Sequence, residues 1–419
     1  MTARLHSSML VSMSVALVVG LGGARDGADG SAAVGAAPPP AAEPPPNAPD
    51  YPRLGREIVE LVRENFLDAD RAEQWAALNG AYAADIADPE TFARDTRRVL
   101  SLLGASHTAY YTIDDPEHAP LEDLFGAALG KPAVRIESIG ADLRADGVVR
   151  VVFRGGPADI AGLRRGDRVL AVGDMERFHP VRSFRGRAGE RVRLTVAREP
   201  AAPPIDVVVV PRLIQPRREW VEASERGAAL HASGGKTIAT LPLYACAGED
   251  ANAIVRAAIA GPFREADALV LDLREGWGGC NPDFLDLFST LPPRLEQRFR
   301  NGEPVVIDDQ WRKPLVVLVN ERTRSGKEVV ARTIQRKGVG VVVGERTAGA
   351  VLGGRVFPLS DGSLLFLAVA DIAVDGERLE GVGVEPDVTV ADDLGHTGGR
   401  DPQLERAIEV AAELVGTGG

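Results

Sequence analysis

Four short runs of nearly unbroken aliphatic residues, KTIATLPL, DALVLDL, PLVVLVN and VGVVVGE, recur between residues 236 and 345. They constrain the fold more than any other feature of the chain. A strand with one wet face alternates apolar and polar residues. Strands without that alternation need cover on both faces, as in a parallel sheet between helical layers. Helical stretches separate the runs: ANAIVRAAI, a helix opening at Asn281-Pro282, and a helix that starts at Ser325 and closes at Gly338. A hairpin, VFPLS-DGS-LLFLAVA, and then VGVEPDVTV complete an α/β unit expected over 215–395, followed by a C-terminal segment with a helix over 396–419. The chain of 419 residues is 45% hydrophobic and 26% charged, an ordinary globular composition with material for two or three cores.

Upstream the pattern changes twice. Residues 51–125 read as a helical region: Leu54, Ile58 and Leu61 follow a helical repeat, and Asp88-Pro89 is an N-cap with proline in the first turn. A second helix there turns Phe92, Val99 and Leu103 inward and stops at Gly104, just before ASHTAYYT. Residues 130–213 read as short strands with glycine turns. In RGGPADIAGLRRGDRVLAVGD, Gly155-Gly156-Pro157 starts a short helix, Gly162 ends it, and Gly166-Asp167 turns into a strand.

The first 24 residues have the layout of a secretory signal peptide: Arg4, an apolar run from Met9 to Leu21, and small residues around Gly22 to Ala24. The run is short for a membrane span, so the expectation is an exported, periplasmic or secreted chain with no membrane span once mature. Retention of the run as an anchor is the alternative. Residues 25–50 are a Pro/Ala-rich linker. Two cysteines follow strand runs, Cys246 and Cys280. In an oxidising compartment they either form a disulfide or remain two buried thiols. Net charge is −12 with no basic stripe, which argues against a nucleic-acid partner. No metal-ligand spacing is present.

Ser325 poses the main chemical question. Ser325-Gly326-Lys327-Glu328 fits a capping box, in which the serine hydroxyl takes one orphan N–H and the glutamate returns to another. Read alone, the serine is a helix cap. His107 alone is a structural histidine, Glu380 a surface carboxylate between glycines, and Gly276, Gly278 and Gly279 a strand-to-helix turn.

Taken together these segments carry a resemblance. The module around RGGPADIAGLRRGD resembles the PDZ domains of bacterial proteases, which capture an extended peptide by adding it to a sheet edge. With that module, LDLREGWGG, the Ser325 segment and GERTAG in this order, residues 55 to 390 resemble the carboxy-terminal processing (tail-specific) serine peptidases. The resemblance implies a crotonase-like α/β peptidase core with an inserted β-rich PDZ domain, a polypeptide substrate, and no metal or organic cofactor. Those peptidases pair the serine with a lysine, but the matching position here is Ala350. Lys327 does not replace it, because two positions along a helix point roughly 200° away.

A second branch of the family, typified by the tricorn core, uses serine, histidine and glutamate, and SHT at Ser106-His107-Thr108 and Glu380 in LEGVGVEPDV resemble its segments. The branch implies Ser325 as nucleophile, His107 as general base, and Ser106 and Glu380 as the groups that orient and stabilise the imidazole. The N–H of Gly326, with that of Gly278 or Gly279, would form the oxyanion hole. On this reading His107 titrates near its ordinary ~6.5, raised by Glu380. A peptide-binding pseudopeptidase is the main rival, and a small-ligand carrier of the retinoid-binding kind a third reading.

Overall fold

The computed structural model of the chain describes residues 50–417 except 127, 176, 290–292, 301, 309 and 396. The expected signal peptide and all but the last residue of the expected linker lie outside the described residues. The aliphatic runs form a six-stranded sheet. Its order is Val388–Thr389, Val341–Gly344, Leu315–Val319, Ala268–Asp272, Lys236–Pro242 and Ala229–Ser233. All neighbours are parallel except the last pair.

The reason for the unbroken runs is visible in the packing. Leu315, Val317 and Val319 face a core shared with the helices Glu249–Ala260 and Gly326–Arg336 and with the 282–288 turn of 3-10 helix. Val316 and Leu318 face the opposite way, against Ala407, Val410 and Ala411 of the helix Pro402–Thr417. Each such side chain contributes about 1.5–3 kcal/mol by leaving water, and a buried polar residue in the sheet needs a partner, as Thr240 has in His231 at 2.9 Å. The segment opening at Asn281-Pro282 is thus 3-10 helix rather than α-helix.

A consequence of the parallel arrangement is that four connections leave the sheet at its carboxyl edge, after Pro242, Asp272, Val319 and Gly344. Ligand sites of open α/β sheets lie outside this edge.

Three helices, Tyr51–Asn65, Ala69–Asn79 and Pro89–Ser101, pack on a separate sheet made by the hairpin Leu352–Pro358 and Leu364–Asp371. The helical region is interrupted by a strand, Ala109–Tyr111, which pairs antiparallel with Phe366, Leu365 and Leu364. That pairing draws the turn at residues 104–108 onto the hairpin.

Between Ile136 and Ile214 lies a β-rich unit with its own core, including Ile139, Val169, Leu194 and Val207. Its first and last strands, Ile136–Ser138 and Arg212–Ile214, pair in register, so the unit leaves and rejoins the chain at one point. Among the described residues no helix is long and apolar enough to cross a membrane.

Candidate active site

Ser325 sits ahead of the Gly326–Arg336 helix with φ 58° and ψ −132°. An ordinary cap is extended, with negative φ. Positive φ at a side-chain-bearing residue costs on the order of 1–3 kcal/mol, and capping alone does not require it. The Ser325 N–H donates to the Ala350 carbonyl at 2.9 Å and to the Glu328 carboxylate at 3.1 Å, while the Glu328 N–H goes to the Ser325 carbonyl at 2.8 Å.

Glu328 does more than the box requires. Its buried carboxylate also accepts the N–H groups of Gly349 and Ala350, at 2.8 Å each, and the Thr347 hydroxyl. Burial raises its pKa, and these hydrogen bonds oppose the rise. The glutamate therefore ties the start of the helix to the 347–350 loop from the next strand, a role the sequence did not reveal.

The loop after Ala268–Asp272 lies against Ser325. Trp277 bridges to Ala245 and Cys280 to Ala247, and Cys246 and Cys280 form a disulfide. Gly278 and Gly326 are required by close approach. A Cβ on Gly278 would stand 2.8 Å from the Ser325 Cβ, and one on Gly326 would stand 2.6 Å from the Cys280 nitrogen and 3.0 Å from that of Gly279. Gly278, Gly279 and Gly326 are thus together, and the Cys280 backbone, not expected from sequence, joins them.

The turn at 104–108 contributes the third part. Glu380 accepts the Ser106 N–H on one oxygen, and the Ser106 hydroxyl and the Val351 N–H on the other, all at 2.8 Å. The Ser106 Oγ is also 2.9 Å from His107 Nδ1. A hydroxyl has one proton and a carboxylate only accepts, so the Ser106 proton points to Glu380 and Nδ1–H donates to Ser106. That leaves His107 Nε2 as a free acceptor; among the described residues it has no hydrogen-bond partner.

His107 has φ 55°, is 7% exposed, and packs on Phe366 at 5.2 Å between ring centroids. Burial, with the nearby Arg324 guanidinium, lowers its pKa to about 3. The expectation of a value near neutrality raised by Glu380 is therefore corrected. Glu380 reaches the imidazole only through Ser106, while desolvation acts on the ring directly.

Lys327 is buried with its Nζ on backbone carbonyls, 2.6 Å from that of Leu243 and 2.6 Å from that of Glu275. A cavity of 670 Å³ is lined by Arg324 and Ala350, which flank Ser325 in the chain and in its hydrogen bonding, by Tyr111 and Trp277, and by Ile136 and Phe153 of the β-rich unit. Arg324 lies over the Trp277 ring at 5.7 Å. Among the described residues no group of three His, Cys, Asp or Glu side chains is placed to hold a metal ion.

Residues 238–390 match the family model of Peptidase family S41. The chain carries a serine-type peptidase domain. No curated protein matches the chain in sequence. Three solved structures share the peptidase's fold over 88% of its length. They are the tricorn protease (TM-score 0.53, 18% identity), a putative S41 protease from Bacteroides fragilis (0.51, 19%) and mature CPAF complexed with lactacystin (0.51, 12%). The alignment covers 99% of the second and third of those chains but 37% of the tricorn protease.

Proposed function

We propose that the protein is an exported serine endopeptidase in which Ser325 is the nucleophile and His107 the general base. The observation that carries the reading is the Glu380–Ser106–His107 chain of hydrogen bonds, fastened through Val351 next to the carbonyl that takes the Ser325 N–H. Ser325 Oγ attacks the scissile carbonyl carbon as its proton passes to His107 Nε2. Ser106 and Glu380 hold the imidazole in the tautomer that presents that nitrogen. The N–H of Gly326, with that of Gly278 or Gly279, receives the oxyanion. The imidazolium then protonates the leaving amine, and water, deprotonated by the same nitrogen, releases the acyl group from Ser325.

A base held at about 3 is a weak proton acceptor in the free enzyme. Negative charge developing on the substrate oxygen offsets Arg324 and favours the imidazolium, so proton transfer is coupled to filling of the oxyanion site.

The sheet with helices on both faces supports the crotonase-like reading of the core. The β-rich unit is read as a PDZ module that presents an extended polypeptide; its contribution of Ile136 and Phe153 to the cavity lining favours that role. Residues 1–24 are read as an export signal.

A fluorophosphonate probe tests the core of the proposal. It should label the chain at Ser325, as mapped by peptide mass spectrometry, and labelling should be lost in His107→Ala. An unlabelled, folded protein that binds peptides without cutting them would establish the pseudopeptidase instead.

A further inference from the structure

Lys327 is 1% exposed and two positions after Ser325, yet among the described residues no side-chain carboxylate bonds it. Its three N–H donors are spent on three backbone carbonyls: Leu243 at 2.6 Å, Arg274 at 3.3 Å and Glu275 at 2.6 Å. These carbonyls stand just past the carboxyl ends of two neighbouring parallel strands, Lys236–Pro242 and Ala268–Asp272. The third strand, Leu315–Val319, leads into the helix that bears the lysine. One ammonium thus joins the ends of two strands to the helix that follows the third.

The strand end it grips leads directly into Gly276–Cys280. Glu275 has φ 26°, an unfavourable conformation for a glutamate, and Gly276 follows at φ 79°. A backbone turned this sharply needs external restraint to hold one geometry. The turn delivers the Gly278 and Gly279 backbone to Ser325, where contacts leave no slack for a methyl group.

We propose that Lys327 is a positioning residue for the oxyanion site, clamping the 274–275 turn so that the N–H of Gly278 or Gly279 is fixed relative to Ser325 and Gly326. The inference rests on the serine-peptidase reading above. Positioning of donors around a developing charge affects the transition state more than the ground state, so the rate should suffer and substrate affinity should not. The charged groups around the ammonium are Asp272 and Glu275, which favour its protonated form, and Arg322, which opposes it, with Arg274 beside them. Burial outweighs the carboxylates and lowers the pKa to about 7, so loss of the proton falls within an accessible range.

The test uses the full chain as wild type, Lys327→Met and Lys327→Gln, with one peptide substrate and a peptidyl boronic acid as transition-state analogue. Lys327→Met should lower kcat about 10–100-fold with KM changed less than about 3-fold, and weaken the boronic acid in parallel with kcat. Lys327→Gln, which keeps two donors, should fall between. Rates are expressed per active site, titrated with the fluorophosphonate, so a misfolded fraction does not count.

Should neither variant fold, wild type alone decides. Boronic acid affinity, corrected for ionisation of the inhibitor itself, should fall from pH 6 to 9 while KM holds. A folded Lys327→Met with wild-type kcat and boronic acid affinity would overturn the inference, as would a wild-type affinity that stays flat through the titration of the lysine amine itself. If wild type neither cleaves peptide nor reacts with the probe, the peptidase reading has failed; if wild type is active and Lys327→Met is equally active, only the role of Lys327 has.

Discussion

Ser325 and Ala350 are held by one carboxylate: Glu328 accepts the N–H of both, at 3.1 and 2.8 Å, and Ser325 donates a second bond to the Ala350 carbonyl. Ala350 stands where the resemblance to the processing peptidases would place a lysine. The backbone there serves to place Ser325, and the side chain lines the cavity beside Arg324. Ala350→Lys should therefore give no gain in kcat/KM on a peptide and should lower the melting temperature, by crowding a 7%-exposed site and adding a like charge. A rise in kcat/KM would show that a lysine base can be accommodated.

The backbone of Ser325 makes a prediction that a cap would not. Ser325→Ala should lower kcat about 10³-fold or more and leave the fold intact. Ser325→Gly should be as inactive yet more stable than the alanine variant by about 1 kcal/mol, because φ 58° with ψ −132° is open to glycine and strained for alanine. Peptide hydrolysis and thermal melting of both variants check this. An alanine variant that cleaves at the wild-type rate would end the assignment.

The acid side of the pH profile should lie low. His107 must be neutral to accept a proton and is held at about 3, so kcat/KM should stay level from neutrality down to about pH 5 and fall only below that. Arg324→Met removes a cation that lowers this value and should move the acid limb upward. Stability follows the same group. Its folded value lies under its ordinary ~6.5, so as pH falls from there to about 3 the unfolded chain binds the proton first, and stability declines across that window. Chemical denaturation at several pH values, repeated on His107→Gln, should show the decline partly removed.

Loss of the Cys246–Cys280 disulfide should affect both stability and rate. It closes a 34-residue separation, worth about 3–4 kcal/mol by chain entropy. It also braces Cys280, whose nitrogen abuts Gly326. Reduction, or the Cys246→Ala/Cys280→Ala double variant, should lower the melting temperature and also lower kcat where the protein is still folded. Unchanged kcat would confine the bridge to stability.

Excising residues 139–211 tests the β-rich unit as a substrate-presenting module. Ser138 and Arg212 are paired, so the cut ends stay about 5 Å apart and a short glycine linker closes them. Cleavage of a denatured protein should drop further than cleavage of a short peptide. Equal losses on both, in a folded variant, would reduce the unit to a wall of the cavity.

What the sequence revealed tracks how far each interaction reaches along the chain. The parallel strands were legible because burial on both faces leaves Val and Leu at successive positions, as in Leu315–Val319. The helix Pro216–Gly227 was not, and Ala69–Asn79 was covered only by the general helical reading of 51–125, since their inward faces include small residues such as Ala72, Ala76, Ala223 and Ser224 that give little periodic signal. The strand Ala109–Tyr111 is three residues long and exists through its pairing with Phe366. Glu328 read as a local cap because its other partners, Thr347 to Ala350, lie some twenty residues on. The low pKa of His107 depends on burial and on Arg324, and neither is written near residue 107.

Ser106 and Glu380 stand 274 positions apart. A chain made from its amino terminus presents the serine, the imidazole and even the strained turn at Ser325 before the carboxylate exists. Until residue 380 arrives and the helical region docks against the late hairpin, nothing sets the imidazole's tautomer. On the proposed mechanism the order of synthesis is thus a safety catch: an unfinished or clipped chain would have the parts of a hydrolase but no working arrangement of them, and the maker of the protein would be shielded from it until the last part is in place.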